Sequence, residues 1–286
     1  MKVVLFCGGL GMRMRDGVTS GPKPMAMLGE RPLMWHVMRY YAHFGHTDFV
    51  LCLGYGASYV KDFFLNYDET RSNDFVLEGS AREVTLFKTD ISDWRITFVD
   101  TGLNSAIGER LRRVRRFLDG EPMFLANYAD VFTNASLPDM IARFEASKAL
   151  VSLLAVPPQS SHHVVDVGED GLVTQVTPVR ELRQWENGGY FVLRPEIFDY
   201  LNEGEDLVED ALIRLITQQR VLAYPYKGYW SPADTVKERA QLEEMYHQGY
   251  CPWMVWDQER SGASRGEPPA SDIMVTPVTP ATVAPE

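Results

Sequence analysis

The sequence predicts an α/β fold: a doubly wound, mostly parallel sheet with a small C-terminal β/α extension. Three observations carry this expectation. Short apolar β-type runs alternate with helical runs from the N-terminus as far as Val156. The first apolar run stops abruptly at Gly8-Gly9. Beyond residue 164 the pattern changes, giving a hairpin, one more apolar strand and two helices. Such a β-α alternation places ligands at the carboxyl ends of the strands.

Taken in order, Lys2–Cys7 (KVVLFC) is the first strand. Pro32–Phe44 (PLMWHVMRYYAHF) predicts a helix, with Pro32 near its start and Gly45 after its end. Asp48–Leu53 (DFVLCL) is a buried strand and Ala57–Phe64 a helix. Arg95–Asp100 (RITFVD) and Gly108–Leu118 repeat the pair. Met123–Tyr128 (MFLANY) is a strand ending at Ala129-Asp130, and a helix over Leu137–Ser147 leads into the strand Leu150–Val156. Residues 68–94 break the rhythm, polar and then β-like, and predict an inserted loop or hairpin. Val164–Val167 and Leu172–Val176 flank the turn Glu169-Asp170-Gly171 as a second hairpin. Gly188-Gly189 precedes the strand Tyr190–Leu193, and Leu207–Gln218 and Thr235–Gln248 predict helices. From Glu259 the composition shifts to Ser, Gly, Thr and five prolines. The folded part is therefore expected to be 1–258, with 259–286 a disordered tail.

The 286 residues are 45% hydrophobic, enough for a sizeable core in one large domain or two small ones. A net charge of -11 argues against nucleic acid or an anionic membrane as the main partner, so an anion site has to be a local basic pocket. Cys7, Cys52 and Cys251 are far apart and lack metal-ligand spacing. Reduced cysteines in a cytoplasmic protein are the simplest reading. There is no apolar run long enough for a bilayer and no secretory pattern at the N-terminus.

The stretch FCGGLGMRMRDGVTSGPKPM, residues 6–25, is where chemistry is expected. Gly8, Gly9 and Gly11 let a backbone come close to a ligand and turn its amides towards it. Arg13 and Lys23 would supply charge to phosphates. The spacing is neither that of a dinucleotide-binding turn nor of a P-loop. A tight turn with exposed arginines is the bland alternative. Lys23, framed by Pro22 and Pro24, is a stiffly placed cation.

Gly-Gly-Leu-Gly-Met-Arg followed by Pro-Lys-Pro-Met resembles the signature of sugar-1-phosphate nucleotidylyltransferases. The segments RPLMWHVMRYYAHFG, DFVLCLGY, WRITFVDTGLNSAIGERLRRV, NGGYFVL and YWSPADT are similar to those of bacterial glucose-1-phosphate cytidylyltransferases, over roughly residues 1–250. The resemblance implies a Rossmann-like nucleotidyltransferase fold. It implies transfer of a nucleotidyl group, CTP being the expected donor, to a hexose 1-phosphate such as α-D-glucose 1-phosphate, with Mg2+ as cofactor and a homo-oligomer as the assembly. Gly8, Gly9, Gly11, Met12 and Arg13 match the triphosphate loop, and Lys23 and Arg13 the catalytic cations. Asp130 and Asp234 match the metal carboxylates, each of which could instead be a helix N-cap. Thr101, Gly102 and Arg110 match the nucleotide site. Tyr128, Asn187, Gly188, Gly189 and Glu209 match the sugar-phosphate site.

Three departures stand out against the family pattern. Met12 replaces a threonine, and Ala129-Asp130-Val131 replaces Gly-Asp-Gly. Val176-Thr177-Pro178 replaces Glu-Lys-Pro, whose lysine ordinarily meets the sugar phosphate. Arg180 and Arg183 are the candidates to replace it. These changes leave two rivals open: the same chemistry on another nucleotide or sugar phosphate, and a non-catalytic sugar-nucleotide sensor. Arg110, Arg112, Arg113, Arg115 and Arg116 form a basic helix, read as solvated or subunit-facing. His162 and His163 are adjacent on a strand, point to opposite faces and do not share an ion.

Overall fold

The computed structural model describes residues 1–9, 21–79, 83–159 and 162–262. Its centre is a seven-stranded sheet. The strands are β1 (Val3–Phe6), β2 (Asp48–Leu53), β5 (Arg95–Asp100), β6 (Phe124–Asn127), β8 (Val151–Val156), β11 (Glu186–Leu193) and β12 (Val221–Pro225). Hairpin β3 (Phe75–Glu78) and β4 (Glu83–Leu86), strand β7 (Val131–Thr133), hairpin β9 (His163–Val167) and β10 (Val173–Pro178), and strand β13 (Trp230–Pro232) lie outside it. Spatial order across the sheet is β12-β8-β11-β6-β1-β2-β5. Strand β1 runs parallel to β2 and to β6, β2 to β5, and β8 to β12. Strand β11 runs against both of its neighbours. The mostly parallel, doubly wound sheet expected from the sequence is thus present.

The helices are α1 (Leu33–His43), α2 (Ala57–Leu65), α3 (Ile107–Val114), α4 (Leu137–Glu145), α5 (Ile213–Thr217), α6 (Val236–His247) and α7 (Gln258–Ser261). Strand residues alternate between two cores, as the pleat requires. Val3, Leu5, Phe49 and Leu51 join Leu33, Val37 and Val60 from α1 and α2 on one face. Val4, Phe6, Val50 and Cys52 join Leu111 and Val114 of α3 on the other. Apolar side chains on both faces explain why the central strands read as continuous hydrophobic runs. Pro32 sits at the N-cap of α1, and Gly45, at φ +83°, turns the chain after it.

Three elements differ from expectation. Strand β11 starts at Glu186, so Asn187 to Gly189 belong to the strand, with an irregularity between Leu153 and Ala155 on its partner. The first six residues of the expected helix over 207–218 form a wider π turn, Leu207–Leu212, before α5. Residues 259–262, expected in the tail, remain folded: Asp257 caps α7, and the Arg260 guanidinium donates to the Tyr246 carbonyl and lies 4.1 Å from that ring's centre. Among the described residues, no helix is long and apolar enough to cross a membrane, and Cys7, Cys52 and Cys251 are buried free thiols.

His36, on α1, is 2% exposed and sits 3.0 Å through Nε2 from the Leu28 carbonyl oxygen. Burial, aided by the charges of Arg260 and Arg31, pushes its pKa down to about 4. In the unfolded chain the same imidazole titrates near 6.5, roughly its free value. Unfolding therefore takes up a proton below that pH. The stability from a neutral His36 is fully present above pH ~6.5 and falls away towards pH ~4, by about 3 kcal/mol. Urea midpoints measured over this range should drop, and the drop should be smaller by about that amount in His36→Gln.

Candidate active site

The site is assembled from loops at the carboxyl ends of β1, β2, β5 and β6. Lys23 opens a single 3-10 turn, Lys23–Met25, with Pro22 at its N-cap and Pro24 within it. The two rings fix the backbone, and the side chain, 13% exposed, points inward. Its Nζ donates to Asp130 Oδ2 at 2.6 Å and also to Asp234 Oδ1. These acids lie 107 and 211 residues further along the chain.

A short ladder brings the two aspartates together. Strand β13 pairs antiparallel with β7, aligning Pro232 with Val131, and the Ala233 amide donates to the Asp130 carbonyl at 3.0 Å. Asp130 directly precedes β7, and Asp234 comes one residue after Ala233, which faces Asp130, so the register brings the two acids together. The helix-cap alternative applies to neither: the cap of α6 is Thr235, and a strand follows Asp130. Asp130 is presented by Ala129, buried and at φ +66°, a conformation that costs a non-glycine residue about 1 kcal/mol or more. The Ala129 amide donates to Asn127 Oδ1 at 2.7 Å, which holds this kink.

Burial opposes the charge on Lys23, yet Asp130 and Asp234 outweigh it and raise the lysine pKa. Burial raises the Asp130 pKa, with Asp234 adding repulsion, and Lys23 recovers part of that cost. The ammonium is thus held charged between two acids, one of which is short of neutralisation.

Asp130 and Asp234 line a cleft of about 1590 Å3. Tyr128, Asn187 and Glu209 also line it, as do Gly9 and Val131. Asn187 Nδ2 donates to the Tyr128 hydroxyl at 3.1 Å. Burial pushes the Tyr128 phenol up to about 12, so it stays protonated at neutral pH. Gly189, at φ +76°, leaves room for both Tyr128 and Val131, whose atoms would stand 2.8 and 3.0 Å from an added Cβ. The Gly188 carbonyl is taken by the Trp230 indole N–H at 2.9 Å. Glu209 projects from the π turn, whose first amides are capped by Asp206.

Other expected site residues are placed differently. Gly11, Met12 and Arg13 lie outside the described residues. Gly8 is required by a side chain: an added Cβ would fall 2.0 Å from Arg110 Nη1. Arg110, expected on the nucleotide, lines the cleft but is 3% exposed and donates to the carbonyls of Gly8, Leu53 and Leu103 and to Thr101 Oγ1. It clamps the ends of β1, β2 and β5 together. Thr101 is fully buried and its hydroxyl donates to Leu53 O at 2.8 Å, while Gly102 turns the chain at φ +87°. Neither is on the cleft wall, so both shape the site from behind. Arg180 is exposed and is not on the cleft wall. Lys237 was not anticipated and does line the cleft. Its signal was its place three residues after Asp234, in the first turn of a predicted helix.

No protein-family model matches the chain. A probable glucose-1-phosphate cytidylyltransferase of Bacillus subtilis is 33% identical over 258 residues, spanning 90% of this chain and all of the relative. The glucose-1-phosphate cytidylyltransferase of Salmonella typhimurium is 30% identical over 262 residues, with the same coverage. Among solved structures, the UTP-bound UGPase of Acinetobacter baumannii superposes with a TM-score of 0.65 at 20% identity, over 92% of this chain and 96% of that one, a likeness of fold. With full-length relatives at this identity and the expected sheet in place, the chain belongs to the sugar-1-phosphate nucleotidylyltransferases.

Proposed function

We propose that this enzyme transfers the cytidylyl group of CTP to α-D-glucose 1-phosphate, giving CDP-glucose and pyrophosphate. The observation that carries the reading is Lys23 bridging Asp130 and Asp234, two acids that line a cleft of about 1590 Å3, large enough for both substrates. The names of the Bacillus and Salmonella relatives favour cytidine and glucose.

In the proposed reaction a phosphate oxygen of the sugar phosphate attacks the α-phosphorus in line. A new P–O bond forms there as the bond to the β-phosphate oxygen breaks, and pyrophosphate leaves with that electron pair. Chemistry of this kind asks the protein for positioning and charge neutralisation. Lys23 exchanges a carboxylate oxygen for oxygens of the α-phosphate and neutralises the charge that builds there. Tyr128 and Asn187 hold the sugar phosphate, and Glu209 accepts from sugar hydroxyls. Arg110 keeps the loop ends in register, so the backbone around Gly9 faces the triphosphate.

The donor set suits Mg2+. Asp130 and Asp234 present two carboxylates side by side, with the Lys23 ammonium between them, and among the described residues no cluster of three or more His, Cys, Asp or Glu could hold a metal ion. Mg2+ favours this arrangement, one or two carboxylates completed by water and substrate phosphates. Bound by Asp130 and Asp234, it would supply charge neutralisation to the triphosphate.

Pyrophosphate release measured with each of four nucleoside triphosphates against several sugar 1-phosphates tests the assignment. CTP with glucose 1-phosphate should give the highest kcat/KM. A higher value for another pair would replace the substrates while keeping the chemistry.

A further inference from the structure

We propose that Lys237 binds the phosphate of the sugar 1-phosphate, in place of the lysine missing at Thr177; this rests on the nucleotidyl-transfer reading above. The first observation is one of charge. The cleft is lined by Asp130, Glu186, Asp206, Glu209, Asp234 and Glu238. A sugar phosphate carries up to two negative charges and cannot settle among six carboxylates without a cation of its own. Among the described residues, Arg110 and Lys237 are the lysine or arginine side chains on the cleft wall. The guanidinium of Arg110 is spent on three carbonyls and a hydroxyl. Lys23 is held by Asp130 and Asp234 and serves the α-phosphate. Lys237 is exposed, and no ion pair among the described residues engages it.

The second observation is one of placement. Lys237 and Gln241 both line the cleft and stand four residues apart on α6, so one face of that helix forms the wall. A complete capping box fixes the helix start: Thr235 Oγ1 accepts from the Glu238 amide at 3.2 Å, and Glu238 Oε2 accepts from the Asp234 and Thr235 amides at 2.9 and 2.8 Å. The same carboxylate that would compete for Lys237 is thereby turned back onto the helix end. The box also ties Lys237 to Asp234, so one rigid unit carries a metal-binding acid and a phosphate-binding base. Hairpin β9–β10 puts no lysine or arginine on the cleft wall: Val176 is 57% exposed, Thr177 is uncharged, and Arg180 is off the cleft.

Steady-state kinetics of Lys237→Met with CTP and glucose 1-phosphate test this. Loss of one charge-assisted phosphate contact should raise KM for glucose 1-phosphate by about 10- to 100-fold. KM for CTP should stay within about threefold, as should kcat. Lys237→Arg should recover most of the loss, and Arg180→Met should behave as wild type. In the reverse direction, KM for CDP-glucose should rise and KM for pyrophosphate should not. The proposal is overturned if KM for glucose 1-phosphate stays within twofold in Lys237→Met, if both substrates' KM values rise equally, or if Arg180→Met produces the rise instead. Absence of turnover in wild type with every substrate pair would overturn the parent reading as well, whereas wild-type turnover with an unchanged Lys237→Met overturns this inference alone.

Discussion

Lys23→Met should lower kcat for pyrophosphate release by about a thousandfold, the scale seen when a preorganised charge at a developing anion is removed. The substitution keeps the length and the apolar stem and removes the ammonium. It should also destabilise the ligand-free fold, because Asp130, whose side chain is 17% exposed, loses its nearest cation. Breaking a buried ion pair from one side costs about 3 kcal/mol. The sign of the pH dependence follows from the acid left behind. Burial already raises the pKa of Asp130, and without Lys23 it rises further. An acid with a raised folded pKa penalises the fold when ionised and ceases to do so once protonated. The stability deficit of Lys23→Met should therefore be full near neutral pH and shrink as the solution is acidified. Urea titrations of both proteins at several pH values measure it, and stopped assays measure the rate loss.

Asp130→Asn is the complementary change, and its signature differs. Lys23 keeps Asp234 as a partner, so no buried charge is orphaned. The variant should fold with a melting temperature close to wild type. Its kcat should fall by about a thousandfold, since one of two carboxylates that suit Mg2+ becomes a neutral amide. The magnesium concentration for half-maximal rate should rise as well. Asp234→Asn should be milder, because that side chain is 45% exposed and more of its environment is water. A structural ion-pair role alone predicts the opposite ranking: stability lost first, rate following from unfolding.

Much of this site could be read along the chain. The strand runs Asp48–Leu53 and Arg95–Asp100 match to the residue; the first is buried and apolar from Phe49 on, as a strand covered on both faces should be, and the second is the edge strand, with only Val99 buried. Lys23, Asp130 and Asp234 were legible chiefly through the resemblance to the family's motifs, helped by the two prolines that frame Lys23 and by the place of Asp130 just after a predicted strand. What stayed hidden depends on contacts between distant segments. Gly8 looks like a ligand cradle, yet the Arg110 guanidinium fills the space its side chain would need. Arg110 looks like a basic surface residue within an arginine-rich helix, and carbonyls from three loops draw it inside. Arg180 lies near the family's lysine position in sequence, but it is exposed and off the cleft wall. The helix face of Lys237 becomes a cleft wall through the β7–β13 ladder, which pairs segments about a hundred residues apart and has no local signature. The π turn under Glu209 is equally invisible to periodicity, since its residues spell an ordinary helix.

One comparison bears on the whole account: pyrophosphate formed from CTP and glucose 1-phosphate, followed across a magnesium titration, for the wild-type chain and Lys23→Met side by side. Wild type should release one pyrophosphate per CDP-glucose, with no turnover once magnesium is chelated, and Lys23→Met should retain about a thousandth of the rate. Rates for the two proteins within tenfold of each other, or wild-type turnover indifferent to chelation, would contradict the assignment of the Lys23–Asp130–Asp234 cluster as the centre where the nucleotidyl group changes hands.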